Sequence, residues 1–290
     1  MATDSQVWFI TGASSGFGRH MTEQVLKKGH KAAATLRKPE VVADLAAQYG
    51  SDRLLVLKLD VSVAHEIKEA FGAAVDHFGR IDVVFSNAGH SLMAEVEHAP
   101  EDMAREMFET NFWGSVNVAK ETLRVFRDVN KPAGGHLLQV SSSSAIQGFP
   151  AFGFYSATKH AVNGVIEALA GELDPGWNVK ITLIEPGAFR TGAVSTNLPS
   201  VPLQGPYAKP NSMPAVVRSI INEENFKQLP HPTHAVAAMY KLTTIPDPPL
   251  HLPLGQQGID IVKRKLTSML AETDNFASWS DGMGVDEVQF

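Results

Sequence analysis

Short apolar runs alternate with longer amphipathic stretches along most of the chain. The first run, Val7–Ile10, is too short for a helix and ends at Thr11-Gly12. Nearly continuous apolar runs of this kind are typical of strands in a parallel sheet that is covered on both faces. We predict further strands at similar runs, which are Lys31–Leu36, Leu54–Leu59, Asp82–Ser86, His136–Val140 and Val179–Ile184.

The stretches between these runs place apolar residues near the helical period. Strand–helix alternation predicts an α/β fold, a single Rossmann-like domain over residues 1–290 with a doubly wound parallel sheet of about seven strands. In such a sheet, ligands bind beyond the carboxyl ends of the strands. The predicted helices are Gly18–Lys28, Val63–His77, Glu101–Arg127, Tyr155–Leu173, Val216–Leu229, Pro232–Leu242 and Gly258–Ala271.

The alternation breaks after Pro186. The segment Thr191–Pro214 contains five prolines and two glycines and has little periodicity. Long irregular segments beyond a strand end usually serve as lids or binding loops. We therefore predict a substrate-binding lid at residues 191–229. The end of the chain, from Glu272 and including the tail 273–290, is predicted to be loosely ordered.

Composition narrows the class of protein. The 290 residues are 44% apolar and 19% charged, which is typical of a water-soluble globular protein. A net charge of −6, without a basic block, argues against nucleic-acid binding. The absence of cysteine excludes disulfides, zinc–thiolate sites and thiol catalysis. The polar start, Met1–Gln6, runs directly into a strand and no segment has the pattern of a membrane-spanning helix, so we expect a cytoplasmic protein.

A glycine-rich turn joins the first strand to the first helix. Glycines at such a turn let backbone N–H groups approach a pyrophosphate, and the helix N-terminus favours its negative charge. The spacing differs from G-x-G-x-x-G by an extra pair of residues, and alone it also fits a tight structural turn. The predicted cofactor contacts in this turn are Gly12, Ser14, Ser15, Gly16, Phe17 and Gly18.

The end of the second strand bears on the choice of nicotinamide cofactor. Proteins that bind NAD carry an acidic residue here for the ribose 2′-hydroxyl, whereas an arginine suits a 2′-phosphate. Arg37 and Lys38 follow this strand, and no acidic residue precedes Glu40. We predict NADP(H), with Arg37 as the main phosphate partner and Lys38 as a second basic group. The alternative is that both are solvated loop charges.

Several polar residues lie at the ends of predicted strands or on one face of a predicted helix. Tyr155 and Lys159 are four residues apart, which places them on one helical face. Ser142 follows the strand at His136–Val140, and Asn111 lies within the long predicted helix. Each has an ordinary structural alternative, such as a strand end or a polar residue inside a helix. If all of these residues were only structural, several independent coincidences would be required.

This set resembles the short-chain dehydrogenase/reductase family over about Val7 to Leu270. The resemblance is carried by Thr-Gly-x-x-x-Gly-x-Gly at the first turn, Asn-Ala-Gly after the fourth strand, the Ser–Tyr–Lys set, and Pro-Gly with a following threonine, in that order. It implies a catalytic tetrad of Ser142, Tyr155, Lys159 and Asn111. It further implies that the cofactor contacts Asp60, Val61, Asn87, Ala88, Gly89, Tyr155, Lys159, Pro186, Gly187 and Thr191.

The resemblance implies carbonyl–alcohol chemistry with NADP(H), similar to the branch of the family that reduces ketones, retinoids or steroids. A phenol with a pKa of about 10 exchanges protons poorly at neutral pH, and a neighbouring lysine ammonium lowers that pKa. Tyr155 would then act as acid or base, and Ser142 would stabilise charge on the substrate oxygen. Asn111 would position a water that relays protons from Lys159.

The loops above the strand ends are rich in apolar side chains, which predicts an apolar or cyclic carbonyl or alcohol substrate. Such residues also pack lids without touching a ligand. His231 and His234 have no nearby carboxylate, so we predict no metal site. The candidate substrate contacts are His90, Met93, Gln147, Phe149, Phe154 and Phe189, with Ser91, Phe152, Leu198, Val201, Leu203 and Met213 as further pocket residues.

Alternatives to a net redox enzyme remain open from the sequence. The same fold could carry out epimerisation through a transient ketone, or the chain could bind the cofactor as a sensor. Phe17 stands where the family more often has isoleucine, and Ser15 lacks the basic side chain of some NADP-binding branches. By resemblance, the helices Glu101–Arg127 and Tyr155–Leu173 would form the interface of a homodimer or homotetramer.

Overall fold

Seven parallel strands form the central sheet of the computed structural model, which describes residues 5–192 and 198–283. Their order across the sheet is β3-β2-β1-β4-β5-β6-β7. The order reverses between β1 and β4, and this reversal opens a crevice at the carboxyl ends of the strands. The strands are β1 Val7–Thr11, β2 Lys31–Leu36, β3 Leu54–Lys58, β4 Val83–Ser86, β5 Gly135–Val140, β6 Val179–Pro186 and β7 His251–Leu254.

The sheet confirms the doubly wound fold expected from the sequence, and the six predicted strands lie within a few residues of their expected bounds. We named no segment for β7, because Pro248, Pro249 and Pro253 interrupt any apolar pattern there. Pro253 pairs with Glu185 of β6, and β7 is the last strand of the sheet. Proline is tolerated in an edge strand, since the missing N–H costs no ladder hydrogen bond on the outer side.

Helices cover both faces of the sheet. The predicted Val216–Leu229 is two helices rather than one, because the Asn222 side chain accepts a hydrogen bond from the N–H of Asn225 and starts a new helix. We did not predict α2. The helices are α1 Gly16–Lys27, α2 Ala43–Gln48, α3 Ala64–Phe78, α4 Glu101–Phe108, α5 Gly114–Arg124, α6 Gly153–Gly171, α7 Met213–Ile220, α8 Glu223–Gln228, α9 Pro232–Lys241 and α10 Gln256–Phe276.

The end of the chain is more regular than the sequence indicates. α10 continues to Phe276, and a 3₁₀ turn follows at Ala277–Ser280. The expectation of loose order from Glu272 onward is therefore wrong as far as Ser280. The remaining part of the predicted tail, 284–290, lies outside the described residues. None of the helices in the described ranges is long and apolar enough to cross a membrane.

The predicted helix Glu101–Arg127 is one continuous rod with two π turns. One π turn, Glu109–Trp113, separates α4 from α5, and a second, Val125–Val129, follows α5. π turns are rare and often occur at functional sites. The first of them contains Asn111, whose side chain is completely buried.

Alternating strand residues supply the two halves of the core, because successive side chains point to opposite faces of a sheet. Phe9 packs on one face, where its ring lies 4.0 Å from that of Phe71 on α3. Trp8 packs on the other face, where it stacks on Tyr240 of α9 at 5.7 Å. Burying such rings on both sides fixes the strand register, which positions the carboxyl ends that build the cleft.

Replacing Phe71 by alanine tests this core directly. Phe71 is fully buried, so Phe71→Ala should lower the free energy of unfolding by roughly 3–5 kcal/mol through lost burial and a residual cavity. Urea denaturation measures the change. Val96→Ala is the control, because Val96 is 66% exposed and its truncation should cost less than about 0.5 kcal/mol. Similar losses for both variants would contradict the assigned core.

Candidate active site

A cleft of about 680 Å³ lies above the carboxyl ends of the strands. It is continuous from the glycine turn after β1 to the segment that follows β6. Most residues singled out from the sequence line it. These are Gly12, Ser14, Ser15, Gly16, Phe17, Arg37, Asp60, Val61, Asn87, Ala88, Gly89, His90, Ser91, Ser142, Phe149, Phe152, Tyr155, Lys159, Pro186, Gly187, Phe189, Thr191 and Leu198.

Some predicted residues lie elsewhere in the described part of the chain. Met93 is buried and pairs with Ser200 through an isolated bridge, which joins the loop after β4 to the lid. Phe154 packs against a small core cluster that includes Met107. Gln147 is half-buried and Lys38 is exposed, and neither lines the cleft. Of the other pocket candidates, Val201, Leu203 and Met213 are also absent from the cleft wall.

The glycine turn is shaped by close backbone approach. Gly12 and Gly16 adopt positive φ angles of +68° and +54°, which side chains rarely tolerate. A Cβ at Gly18 would overlap the Gly12 carbonyl oxygen, so Gly18 serves packing beneath the turn rather than the cleft wall. No described side chain caps the N-terminus of α1 at Ser15. The first N–H groups of the helix therefore face the cleft without a side-chain partner.

Thr11 joins the glycine turn to the end of β4. Its hydroxyl oxygen accepts hydrogen bonds from the N–H groups of Asn87, at 2.8 Å, and Ala88, at 3.0 Å. In return, the Asn87 amide donates to the Thr11 carbonyl oxygen at 3.0 Å. These bonds fix the two strand ends on either side of the crevice. Thr11 is the first residue of the Thr-Gly-x-x-x-Gly-x-Gly motif, and the sequence alone assigns no function to its hydroxyl.

Arg37 and Asp60 lie near each other on the cofactor side of the cleft. Arg37 is exposed and makes no hydrogen bond or ion pair with any part of the chain that the structure describes. Burial would raise the pKa of Asp60, but hydrogen bonds from Ser62 and the charge of Arg37 outweigh it and lower that pKa. The Ser62 hydroxyl donates to Asp60 at 2.7 Å, so the carboxylate is ionised and held in place.

Asn111 is positioned by the first π turn. Its Nδ2 donates to the carbonyl oxygen of His90 at 2.8 Å and to Thr158 Oγ1 at 3.2 Å. Its Oδ1 accepts from the N–H of His90 at 3.0 Å. A Cβ at Gly89 would lie 3.0 Å from Asn111 Oδ1 and 3.8 Å from Lys159 Nζ. Asn111 and Lys159 thus both lie next to Gly89, although Asn111 does not line the cleft itself.

Ser142 and Tyr155 face each other across the cleft floor. The Ser142 oxygen accepts a hydrogen bond from the N–H of Ser144 at 3.0 Å, which orients the hydroxyl. Burial raises the pKa of Tyr155, and a hydrogen bond with Ser142 opposes that rise. Ser142 therefore already interacts with the phenol in the direction that favours the phenolate.

Lys159 is the buried cation of the site. It is only 4% exposed, and its ammonium donates to the Val140 carbonyl oxygen at 3.2 Å. Nζ also lies 5.8 Å from the centre of the Tyr155 ring. Burial lowers the pKa of Lys159 to about 8, because removing an ammonium from water disfavours its charged form.

A buried polar chain supports the site from beneath. The Ser141 hydroxyl donates to Asn163 at 2.6 Å, and the Asn163 amide donates to Glu185 at 2.7 Å. His251 of β7 lies 2.9 Å from the same Glu185 oxygen. This chain ties α6, which carries Tyr155, to the ends of β5 and β6. No sequence pattern reveals this chain, since its partners are far apart along the sequence.

The lid is held by a largely buried ion pair. Arg218 of α7 bonds to Glu95, in the loop after β4, at 2.7 Å, and their side chains are 14% and 2% exposed. A second Arg218 nitrogen donates to Ser200 at 2.7 Å. The pair sets α7 over the cleft, where Val217 and Ile220 enter its wall. Residues 193–197 of the predicted lid lie outside the described ranges.

Comparison with known proteins decides the family. A family model described as short chain dehydrogenase matches residues 6–200. The chain belongs to the short-chain dehydrogenase/reductase family. It is 32% identical over 289 residues to oxidoreductase calM of Penicillium decumbens, covering 98% of this chain and 94% of that protein. The 3-ketodihydrosphingosine reductase of Bacteroides thetaiotaomicron is 34% identical over 253 residues, or 86% of this chain and 88% of that protein.

Solved structures of the same family agree with the fold. A short-chain dehydrogenase from Streptomyces avermitilis matches with a TM-score of 0.85 and 29% identity over 97% of this chain and 100% of that one. More distant proteins of this fold were solved with NADP, from Burkholderia cenocepacia (TM-score 0.71, 23% identity, 95% and 98% covered), and with NAD, from Burkholderia phymatum (TM-score 0.71, 20% identity, full coverage). The chain is thus an oxidoreductase of this family, and proteins that share its fold have been solved with either dinucleotide.

The burial of Lys159 predicts a pH-dependent stability difference. With a folded pKa of about 8 against an ordinary value of 10.5, the unfolded chain binds more protons than the folded chain between these values. The penalty for burying the ammonium is therefore present below pH 8 and disappears as the pH rises to 10.5.

At pH 7, Lys159→Met should therefore unfold at a higher temperature than the wild type. Its free energy of unfolding should be larger by up to about 3 kcal/mol. The gap should shrink as the pH rises through 8 to 10.5. Thermal unfolding across this range measures it. Lys38→Met, at an exposed position, is the control and should show no such trend. A gap that does not depend on pH would rule out a low folded pKa for Lys159.

Proposed function

We propose that the protein is an NADP(H)-dependent oxidoreductase that interconverts a carbonyl and an alcohol on an apolar or cyclic substrate. The observation that carries this proposal is the convergence of Ser142, Tyr155 and Lys159 on the floor of one cleft, with Asn111 behind Lys159. These groups can orient a carbonyl oxygen, deliver a proton to it and replace that proton. A sensor that had lost turnover would not need to retain all of them.

The residues present fit a nicotinamide dinucleotide. The glycine turn leaves no room for a Cβ at Gly18, and the uncapped start of α1 offers free N–H groups for a pyrophosphate. Asp60, ionised and held by Ser62, lines the same cleft and would contact the adenosine end. Arg37 lines the cleft as a cation that forms no ion pair with any of the described residues, which favours a 2′-phosphate and hence NADP(H).

When bound, the reduced nicotinamide supplies the hydride that goes to the carbonyl carbon. Tyr155 then donates its hydroxyl proton to the substrate oxygen, so that the carbonyl becomes an alcohol and the phenol becomes a phenolate. Ser142 donates a hydrogen bond to the same oxygen and stabilises the negative charge that develops there. In the oxidative direction Tyr155 accepts the proton instead.

Lys159 and Asn111 restore the proton of Tyr155. Burial raises the pKa of Tyr155 and the hydrogen bond with Ser142 opposes that rise. The Lys159 ammonium, 5.8 Å from the centre of the ring, would favour the phenolate further by its charge. A Lys159 pKa of about 8 lets the ammonium release and regain a proton near neutral pH. Asn111, anchored to the backbone of His90, holds the relay beneath Lys159 in a fixed position.

The substrate side of the cleft is mostly apolar. Phe149, Phe152 and Phe189 rise around the catalytic floor, and burial lowers the pKa of His90, which keeps its ring uncharged. The match to a 3-ketodihydrosphingosine reductase supports a substrate with a ketone next to apolar bulk. The lid residues Leu198 and Ile220 close the wall, so residues 191–229 would act as the substrate-binding lid.

We further propose a cytoplasmic homodimer or homotetramer built from a single domain over residues 1–290, with a tail at 273–290. The helices α5 and α6 would supply the interface. Trp113, directly before α5, is 47% exposed, and Val165 on α6 is 37% exposed, so both helices offer apolar surface. Interfaces are enriched in such aromatic and apolar side chains.

Tyr155→Phe tests the catalytic role of the phenol. The ring packing survives while the exchangeable proton is lost, so turnover should fall by about 10²- to 10⁴-fold. The dissociation constant for NADPH, measured by fluorescence, should stay within about twofold, since binding energy does not depend on the proton transfer. NADPH oxidation is followed against a panel of carbonyls from small aldehydes to steroids and quinones. Unchanged turnover would remove Tyr155 from the mechanism.

Arg37→Ala tests the cofactor preference. Losing a charge-assisted contact to phosphate costs about 1.5–3 kcal/mol, so the NADPH dissociation constant should rise roughly 10- to 150-fold. Binding of NADH, which lacks the phosphate, should change little. Lys38→Ala is the matched control, because Lys38 is exposed outside the cleft and should have a smaller effect. Equal losses for both cofactors would make Arg37 a structural residue.

A further inference from the structure

The last part of α10 projects away from the rest of the protein. Every described residue from 266 to 283 is exposed, on all sides of the helix. α10 has 21 residues and is therefore about 31 Å long, of which roughly the last 16 Å have no packing partner in the described chain. Isolated helices this short are marginal in water. The projecting segment thus lacks the tertiary contact that normally stabilises a helix.

The exposed side chains form an apolar seam. Leu266, Met269 and Phe276 are 55%, 47% and 55% exposed. The half-buried Ile259 and Val262 continue the same row toward the body of the protein. Apolar residues that alternate at intervals of three and four are the pattern of a coiled-coil seam. We call this row the α10 seam, and it consists of Ile259, Val262, Leu266, Met269, Thr273 and Phe276.

The charges along α10 are divided between its two ends. Lys263, Arg264 and Lys265 precede the middle of the helix, where Asp260 is the one acidic residue, so the first half is basic on balance; Glu272 and Asp274 follow the middle. A helix that binds an anionic membrane is basic along its polar face, and an acidic second half does not fit that surface. Two copies of this helix in antiparallel orientation set the basic half of each beside the acidic half of the other. A parallel pair would set basic beside basic.

We propose that the α10 seam binds the α10 seam of a second copy of this chain in an antiparallel pair. In the register that aligns the apolar positions, Leu266 packs against the partner's Met269, and Ile259 packs against the partner's Phe276. Lys265 then lies opposite the partner's Glu272, on the flank of the seam. This contact is isologous, so the twofold axis makes each interaction twice. It is separate from the α5 and α6 surfaces and does not depend on the proposed activity.

The molar mass in solution is the first test. Light scattering at micromolar concentration should show that the wild type is an oligomer. Leu266→Glu should have a lower molar mass, because a charge in the seam weakens pairing by about 100-fold or more. Leu266 is exposed, so the variant should remain folded and should lose at most the helix signal of the end of α10 from its circular dichroism spectrum. Thr267→Glu, one residue away and off the seam, is the control and should keep the full mass. A monomeric wild type, or an unchanged mass for Leu266→Glu, overturns the proposal.

Charge reversal tests the orientation. Lys265→Glu and Glu272→Lys should each weaken self-association by about tenfold, because each sets like charges opposite each other. An equimolar mixture of the two variants should recover the wild-type mass, since every flank pair is again of opposite charge. The double variant K265E/E272K should recover it alone. Failure of both the mixture and the double variant to recover the mass would refute the antiparallel pairing.

Cross-linking tests the register, because the chain has no cysteine and one introduced thiol is unique. Under mild oxidation, a mixture of Leu266→Cys and Met269→Cys should form a disulfide between unlike chains faster than either variant alone. Rapid cross-linking of Leu266→Cys with itself would indicate a parallel pair and would refute the register. Sedimentation with anionic phosphatidylserine vesicles by a chain that stays monomeric would assign the seam to a membrane surface and overturn the proposal.

Discussion

A lysine ammonium held out of water is the constraint on which the site depends. Burial lowers the pKa of Lys159 to about 8, and the groups that contact its ammonium are the Val140 carbonyl oxygen, which accepts its hydrogen bond, and the Tyr155 ring beside it. Moving any of these groups would leave an uncompensated charge in the interior. The sheet register, the start of α6 and the position of Asn111 all serve to keep that ammonium beside the phenol.

The cleft combines two kinds of surface that the fold supplies from different sources. One side is built from strand ends and tight backbone turns, where Thr11 ties β1 to β4 and the glycines bring the main chain close. The other side is built from side chains of loops and of α7, which the Glu95–Arg218 pair holds over the cleft. Rigid backbone therefore shapes the first side, and exchangeable side chains shape the second.

Sequence patterns predicted the fold and most residues of the cleft, because both depend on residues that are close together in the sequence. Apolar runs predicted six strands, and the predicted catalytic residues follow strand ends or share one helical face. β7 escaped because its prolines remove the apolar rhythm, and an edge strand tolerates them. The Ser141–Asn163–Glu185 chain and the Arg218 pair escaped because their partners are distant in sequence, and polar spacing alone does not reveal such contacts. Met93 and Phe154 were predicted to contact the substrate, but they pack away from the cleft. Apolar residues near a site pack in the core as readily as they face a ligand.

Each of the two π turns changes the direction in which the following side chains point around the long helix between β4 and β5. A π turn accommodates one residue more than the α-helical repeat, which shifts the side chains that follow it by about 100° around the axis. Asn111 can therefore bond to His90 and Thr158 while α5, a few residues later, presents Val118 and Ala119 to the core. Deleting one residue between positions 109 and 113 would restore the regular repeat and put these two demands on the same helix into conflict. The placement of Asn111 is thus encoded partly as a count of residues, and not only as their identity.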